Sequence, residues 1–264
     1  MNFSHRLGFV GFGNMANAIL NGILRDKLLS PAEIGVFDMD EEKRAAAKKM
    51  GLTAFSSNAE LAKNCEFVLF AVKPQCSEPI LKEIDFSQNV LISIMAGVRL
   101  SRLAELSGCE RVARCMPNTP CMIGKGAIAV DASRLLPAQK QFVLAVLGST
   151  GAVVELPDEK MDAVTAVSGS GPAYVYLFMK GMIEEGVRLG LTHAQAKTLT
   201  AATFAGAAEL CASSDRDIDS LIDSVCSKGG TTIQAVDSFR AEDLEGIVAR
   251  AMKKCFDRSV ELGK

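Results

Sequence analysis

The 264-residue chain predicts an α/β fold in its first part and an all-helical fold in its second. Three observations carry this. Apolar β-rich runs alternate with helical segments up to about residue 157, a glycine pattern follows the first run and opens the first helix, and strand-like runs stop after "LPDEK". Continuous apolar strands alternating with helices indicate a mostly parallel sheet covered on both faces. The boundary is expected near Leu156 to Lys160, dividing residues 1–157 from residues 158–264.

The strand runs come in the order "RLGFVGF", "EIGVFD", "EFVLFAV", "NVLISIM", "RVARCM", "GAIAVD" and "AVVEL". Segments such as "NMANAILNGILRD", "EEKRAAAKKM" and "LPAQKQFVLAVLGS" have helical period or composition and lie between several of them. From Met161 onward helices are expected, broken at "SGSGP", "LGLTH", "SSDRDID", "SKGG" and "SFRAED". Thr192 before "HAQAK", and Asp215 to Asp219 before "SLIDSV", are start signals. "PAYVYLFMKGMIEEGV" and "AKTLTAATFAGAAEL" are apolar around much of their circumference. A helical domain of that size then finishes its core against a second subunit, so a homodimer is expected.

Composition narrows the function classes. A net charge of −2, with both signs interspersed, gives no nucleic-acid footprint and no polybasic membrane patch. Apolar runs fall short of a membrane span. "MNFSHRLGFVGFG" runs into a strand without a hydrophobic leader, so a cytoplasmic protein acting on small molecules is expected. The eight cysteines form no C-x-x-C pair and lie apart from His5 and His193, which points to reduced, mostly buried thiols and to no metal.

"GFVGFGNMANAIL" supplies Gly11, Gly13 and Ala16 as G-x-G-x-x-[G/A] between a strand and a helix. The first glycine permits a tight turn, the second lets a pyrophosphate approach the backbone, and the alanine allows close helix packing. The phosphates would meet a helix N-terminus, where free N–H groups favour an anion. With Asp38 ending the second strand, residues 1–157 read as a Rossmann-type dinucleotide-binding domain. Val10, Gly11, Phe12, Gly13, Asn14 and Met15 are expected at the cofactor. Ala71, Val72, Lys73 and Pro74 end the fourth strand, and Ala96 and Gly97 follow the fifth. Both segments should line the same ligand, with Asn58 counted beside them. Asp38 suits a ribose 2′-hydroxyl and repels a 2′-phosphate, whereas Lys43 and Arg44 can neutralise that phosphate. NADH and NADPH both stay open.

Three later segments add specificity: "RCMPNTPCMIGKG" with Asn118, "SGSGPAY" from Ser168 to Tyr174, and "CSKGGTTIQAV" from Cys226 to Val236. Together with "GFGNMA" and "AVKPQ" they resemble the pyrroline-5-carboxylate reductase family over essentially the whole chain. Lys228 stands where many members of the family carry proline, a change in loop stiffness more than in chemistry. The resemblance implies reduction of L-1-pyrroline-5-carboxylate to L-proline, the final step of proline biosynthesis, by hydride from NADH or NADPH. It implies a helical second domain that binds substrate and dimerises, intertwined between subunits, and leaves room for a higher oligomer.

By the same resemblance Ser227, Gly229, Gly230, Thr231 and Thr232 bind substrate, with Thr232 at the ring nitrogen as the catalytic contact. The residue types make physical sense. Gly229 and Gly230 are expected to leave backbone N–H groups uncovered before a helix starting near Thr231, a seat for a carboxylate. Asn118 is the expected polar contact below the nicotinamide. His5 and His193 lie outside every motif, and an iminium substrate needs no proton from a side chain in the hydride step.

Two rivals remain. A dinucleotide-sensing dimer fits the first glycine loop but not the late one. A β-hydroxyacid dehydrogenase resembles G-x-G-x-x-x-K at the start of its helical domain, a spacing that falls here on Val175.

Overall fold

Apolar runs rich in β-branched and aromatic residues form strands here because helices cover both of their faces. The computed structural model describes residues 3–263. The order is β1 (His5–Val10), α1 (Asn14–Arg25), β2 (Ile34–Phe37), α2 (Glu41–Lys49), β3 (Thr53–Ala54), α3 (Asn58–Asn64), β4 (Cys65–Phe70), α4 (Ser77–Glu83), β5 (Val90–Ser93), α5 (Leu100–Ser107), β6 (Val112–Met116), β7 (Gly126–Asp131), α6 (Pro137–Gly148) and β8 (Gly151–Glu155). Among the described residues these strands form one eight-stranded sheet in the order β3-β2-β1-β4-β5-β6-β7-β8. Neighbours are parallel except β6 and β7. The exception follows from the short link Pro117–Lys125, which has no room for a crossover helix.

Alternate residues serve two cores. Leu7 and Phe9 of β1, Phe67 and Leu69 of β4 and Ile92 of β5 pack against α1 and α6. Val10, Val68, Phe70 and Leu91 face the opposite way, toward Leu61 of α3, Leu81 of α4 and Leu103 of α5. Each such side chain contributes about 1.5–3 kcal/mol by leaving water. The chain runs from β1 to β2 and β3 on one side and returns to β4 on the other, which opens a crevice at the carboxyl ends of β1 and β4.

After β8 follow α7 (Met161–Val164), a π-helical turn over Thr165–Gly169, α8 (Gly171–Arg188), α9 (His193–Ser213), α10 (Ile218–Val225), α11 (Thr231–Ala241) and α12 (Leu244–Leu262). Thr192 caps α9 and Asp217 caps α10 through side-chain oxygens that accept backbone N–H bonds. Packing groups the chain into two units: residues up to Pro172 together with Cys255 onward, and Ala173–Lys254.

In the first unit the buried Asp162 accepts the Ser259 hydroxyl at 2.6 Å and lies 3.6 Å from the Arg99 guanidinium. Leu262 packs on Gly97, whose Cβ position would lie 3.3 Å from that of Leu262. The second unit is a set of helices built around Phe178, whose ring meets Phe204 at 5.9 Å and Phe239 at 5.8 Å. It leaves Val175, Tyr176, Leu177, Leu199 and Leu210 exposed. Among the described residues no helix is long and apolar enough to cross a membrane.

The expectation of mostly buried thiols holds for half of the eight cysteines. Cys65, Cys109, Cys115 and Cys121 are buried, but Cys76 lies exposed in the turn after β4 and Cys211 exposed on α9. His5, outside every motif, is half-buried. It is the first residue of β1, and its ring bonds the Thr53 hydroxyl at 2.9 Å and meets Phe55 edge-on.

Candidate active site

The strand-to-helix turn after β1 is built for a close approach. Gly11 stands at φ +87°, donates its N–H to the Phe37 carbonyl at 2.9 Å, and has the Ala71 carbonyl 2.8 Å from where a Cβ would be. Only glycine fits that conformation in that space. Ala71 in turn donates to the Val10 carbonyl at 2.8 Å, so the exits of β1, β2 and β4 are laced together. Gly13 is the N-cap of α1, and a Cβ there would meet nothing within 4 Å. Among the described residues no side chain caps this helix, and its first turn carries no acid. Open space in front of free N–H groups at a positive helix end fits a pyrophosphate. Ala16 is fully buried, as close packing of α1 requires.

The expected cofactor residues divide by what they can offer. The side chains of Val10 and Phe12 belong to the two cores, so these residues face the crevice with backbone only. Asn14 is exposed at the start of α1, with Met15 half-buried behind it. Ala71 and Val72 are half-buried and Lys73 and Pro74 exposed at the exit of β4. Ala96 is exposed and Gly97 buried after β5. Asn58 is buried at the first turn of α3, behind its Ser57 cap.

Asp38 is the most constrained of the group. One carboxylate oxygen accepts the Phe12 N–H at 2.7 Å and lies 3.4 Å from the Lys43 ammonium, and the other accepts the Asp40 N–H at 2.9 Å. Burial pushes its pKa up, but the N–H groups of Phe12 and Asp40 and the charge of Lys43 outweigh this and hold it below the usual aspartate value.

Asn118 is not a free donor. Its amide NH₂ donates to the Ser168 carbonyl at 3.0 Å, and its oxygen accepts the Ala127 N–H at 2.9 Å. It ties the "MPNTP" turn to the π-helical turn and to β7.

In the second unit Ser227, Gly229, Gly230, Thr231 and Thr232 are brought together between α10 and α11. The expectation that both glycines leave their N–H groups uncovered is corrected for Gly230, which donates to the Ser227 carbonyl at 2.9 Å. This closes a tight turn whose third residue, Gly229, takes φ +73°. Gly230 is the N-cap of α11, no side chain among the described residues caps that helix, and its first turn has no acid. The first-turn N–H groups from Thr231 onward, at a positive helix end flanked by the exposed Thr231 and Thr232, have the chemistry to accept an anion.

Sequence reasoning missed two features. Arg114, 2% exposed in the middle of β6, pairs with Asp158 at 2.7 Å; Asp158 also accepts the Leu100 N–H, and its own N–H goes to Asp131. An arginine inside the run "RVARCM" was the signal, since a charge in a doubly covered strand needs a partner. The second is a cleft of about 530 Å³ beyond the end of β2, lined by Phe37, Met39, Arg44, Phe55 and Ser56. Arg44 stacks over the Phe37 ring at 5.8 Å.

Known proteins resemble this chain over its full length. Residues 158–262 match the family model for pyrroline-5-carboxylate reductase dimerisation, and residues 6–97 match that for coenzyme F420-dependent NADP oxidoreductases. The pyrroline-5-carboxylate reductase of Synechocystis is 37% identical over 99% of each chain. A crystal structure of the Plasmodium falciparum pyrroline carboxylate reductase with NADP bound superposes with a TM-score of 0.89 at 31% identity, covering 100% of both chains. The Coxiella burnetii reductase superposes at 0.91 with 29% identity over 99% of each.

Proposed function

The chain belongs to the pyrroline-5-carboxylate reductase family, and from that premise we propose how its residues divide the work. The enzyme reduces L-1-pyrroline-5-carboxylate to L-proline with NADH or NADPH, the final step of proline biosynthesis. The bound dinucleotide supplies the hydride. Gly11, Gly13 and the start of α1 hold its pyrophosphate, Asp38 its adenosine ribose, and the turns after β4 and β5 the nicotinamide half.

The observation that carries the substrate assignment is the start of α11, a second helix with a glycine N-cap, no capping side chain and no acid in its first turn. It accepts the substrate carboxylate. The Thr232 hydroxyl bonds the ring nitrogen and fixes the ring's orientation. With that nitrogen protonated beforehand, addition at the iminium carbon leaves a neutral amine, and the protein's contribution is positioning. Asn118 acts as a positioning residue, its carboxamide tying the "MPNTP" turn to Ser168 and Ala127.

The protein is a homo-oligomer. We assign residues 158–264 as the substrate-binding and dimerisation domain and place the dimer contact on its helices, the basis being the exposed Val175, Tyr176, Leu177, Leu199 and Leu210. A higher oligomer built from dimers is compatible with this. All eight cysteines are free, which suits a reducing compartment, the cytoplasm. Purified protein is expected to oxidise NADH or NADPH only when pyrroline-5-carboxylate is added. Dinucleotide binding without imine-dependent oxidation would overturn the reading in favour of a sensor.

A further inference from the structure

We propose that Asp38 makes this reductase discriminate against the 2′-phosphate, so that NADH is its preferred reductant. This rests on the dinucleotide reading of the first glycine loop and decides what that reading leaves open. Four features at the exit of β2 support it.

The Asp38 carboxylate is fixed at the place where a Rossmann-type domain meets the adenosine ribose, by the Phe12 N–H at 2.7 Å and the Asp40 N–H at 2.9 Å. Its side chain keeps 13% exposure, on the rim rather than in the core, and so has lone pairs left for ribose hydroxyls. It cannot swing away to admit a second anion without giving up both backbone bonds.

The two cations nearest Asp38, Lys43 and Arg44, are already engaged, and Lys48 of the cleft beyond β2 makes no contact with it. Lys43 lies 3.4 Å from the Asp38 carboxylate itself. Arg44 points one guanidinium nitrogen at the Asp38 carbonyl, at 2.6 Å, and at the Met39 carbonyl, at 3.1 Å, while its plane covers Phe37.

The neighbouring helix start offers no substitute. Asp40 caps α2 by accepting the Glu42 N–H, and Glu41 and Glu42 fill the first turn. A phosphate there would meet three acids where α1 and α11 present none. Repulsion of the unwanted ligand is one of the two ways such selectivity is built.

The test is binding of NADH and of NADPH to the full-length oligomer without substrate, followed by nicotinamide fluorescence, for wild type, Asp38→Asn and Asp38→Ser. Wild type should bind NADH about tenfold or more tightly than NADPH, the scale of one poorly compensated like-charge contact. Both variants should narrow or invert the ratio, chiefly by gaining NADPH. Equal or tighter NADPH binding by wild type, or variants with an unchanged ratio, overturns the proposal. A variant that does not fold leaves the wild-type ratio to decide. Adding pyrroline-5-carboxylate separates this from the reductase assignment: selective NADH binding with no imine-dependent oxidation removes that assignment and leaves the selectivity standing.

Discussion

The backbone N–H of Gly230 donates to the carbonyl of Ser227 at 2.9 Å, and a Cβ on Gly230 would run into the Ser227 hydroxyl and lie 3.1 Å from that carbonyl. The turn before α11 is thus closed on itself, and the N–H groups left for the proposed carboxylate contact begin one residue later than glycine content alone suggests. Gly230→Val should force the turn open and displace the seat. The KM for pyrroline-5-carboxylate is expected to rise about tenfold or more, with NADH affinity unchanged. An unaltered KM would disconnect this turn from the substrate.

Thr232 lies exposed in the first turn of α11 with a hydroxyl to offer. Thr232→Ala should lower kcat about tenfold, the loss of roughly 1.4 kcal/mol in orienting the ring, and Thr232→Ser should recover most of it. Steady-state kinetics at saturating cofactor decide this. Equal losses in both variants would point to packing of the methyl group instead.

Gly11→Ala combines an unfavourable backbone angle, φ +87°, with a contact 2.8 Å from the Ala71 carbonyl. Strain of about 1–3 kcal/mol is expected. On the proposed role of this turn as the pyrophosphate cradle, dinucleotide affinity should fall sharply while the melting temperature falls only modestly. Calorimetric titration with NADH and thermal unfolding of the same preparation check the two effects.

Much of this site was legible in the chain. Gly11, Gly13 and Ala16 could be read because each spacing answers a separate steric demand, and Thr192 and Asp217 because caps are local chemistry. The engagement of Gly230 by Ser227 and of Asn118 by Ser168 and Ala127 could not, since a sequence shows which donors exist but not which are already taken. The two-residue β3 is too short to leave a periodicity. The reversal at β7 is legible in hindsight from the short link that precedes it.

The Arg114–Asp158 pair should behave as a buried pair does. Arg114→Ala leaves Asp158, 14% exposed, without its cation and is expected to cost about 3–5 kcal/mol. Asp158→Asn, able to keep its bond with the Leu100 N–H while losing the charge, should cost less. Denaturant midpoints of the two variants check the order, and a reversed order would assign the larger penalty to the Arg114 guanidinium, 2% exposed, left buried without a carboxylate.

Cys65 supplies a pH dependence. Burial raises its thiol from an ordinary value near 9 to about 12. The folded protein therefore keeps a proton that the unfolded chain gives up. The associated stability is complete below pH 9 and declines as pH rises toward 12, by roughly 2 kcal/mol at pH 10.5. Cys65→Ala removes this dependence, so the stability gap between wild type and variant should narrow over that range. A constant gap would mean that the thiol ionises equally in both states.

The contact between Leu262 and Gly97 bears on how the enzyme is built. Gly97 closes the turn at the carboxyl end of β5, yet its packing partner, like the Ser259 that bonds Asp162, lies at the far end of the whole helical segment in the chain. β1 to β5 and the first glycine loop all precede that segment, but the backing of the Gly97 turn comes from the final turn of α12. Removing the last turn of α12 would leave the sheet strands intact and the Gly97 turn without that support.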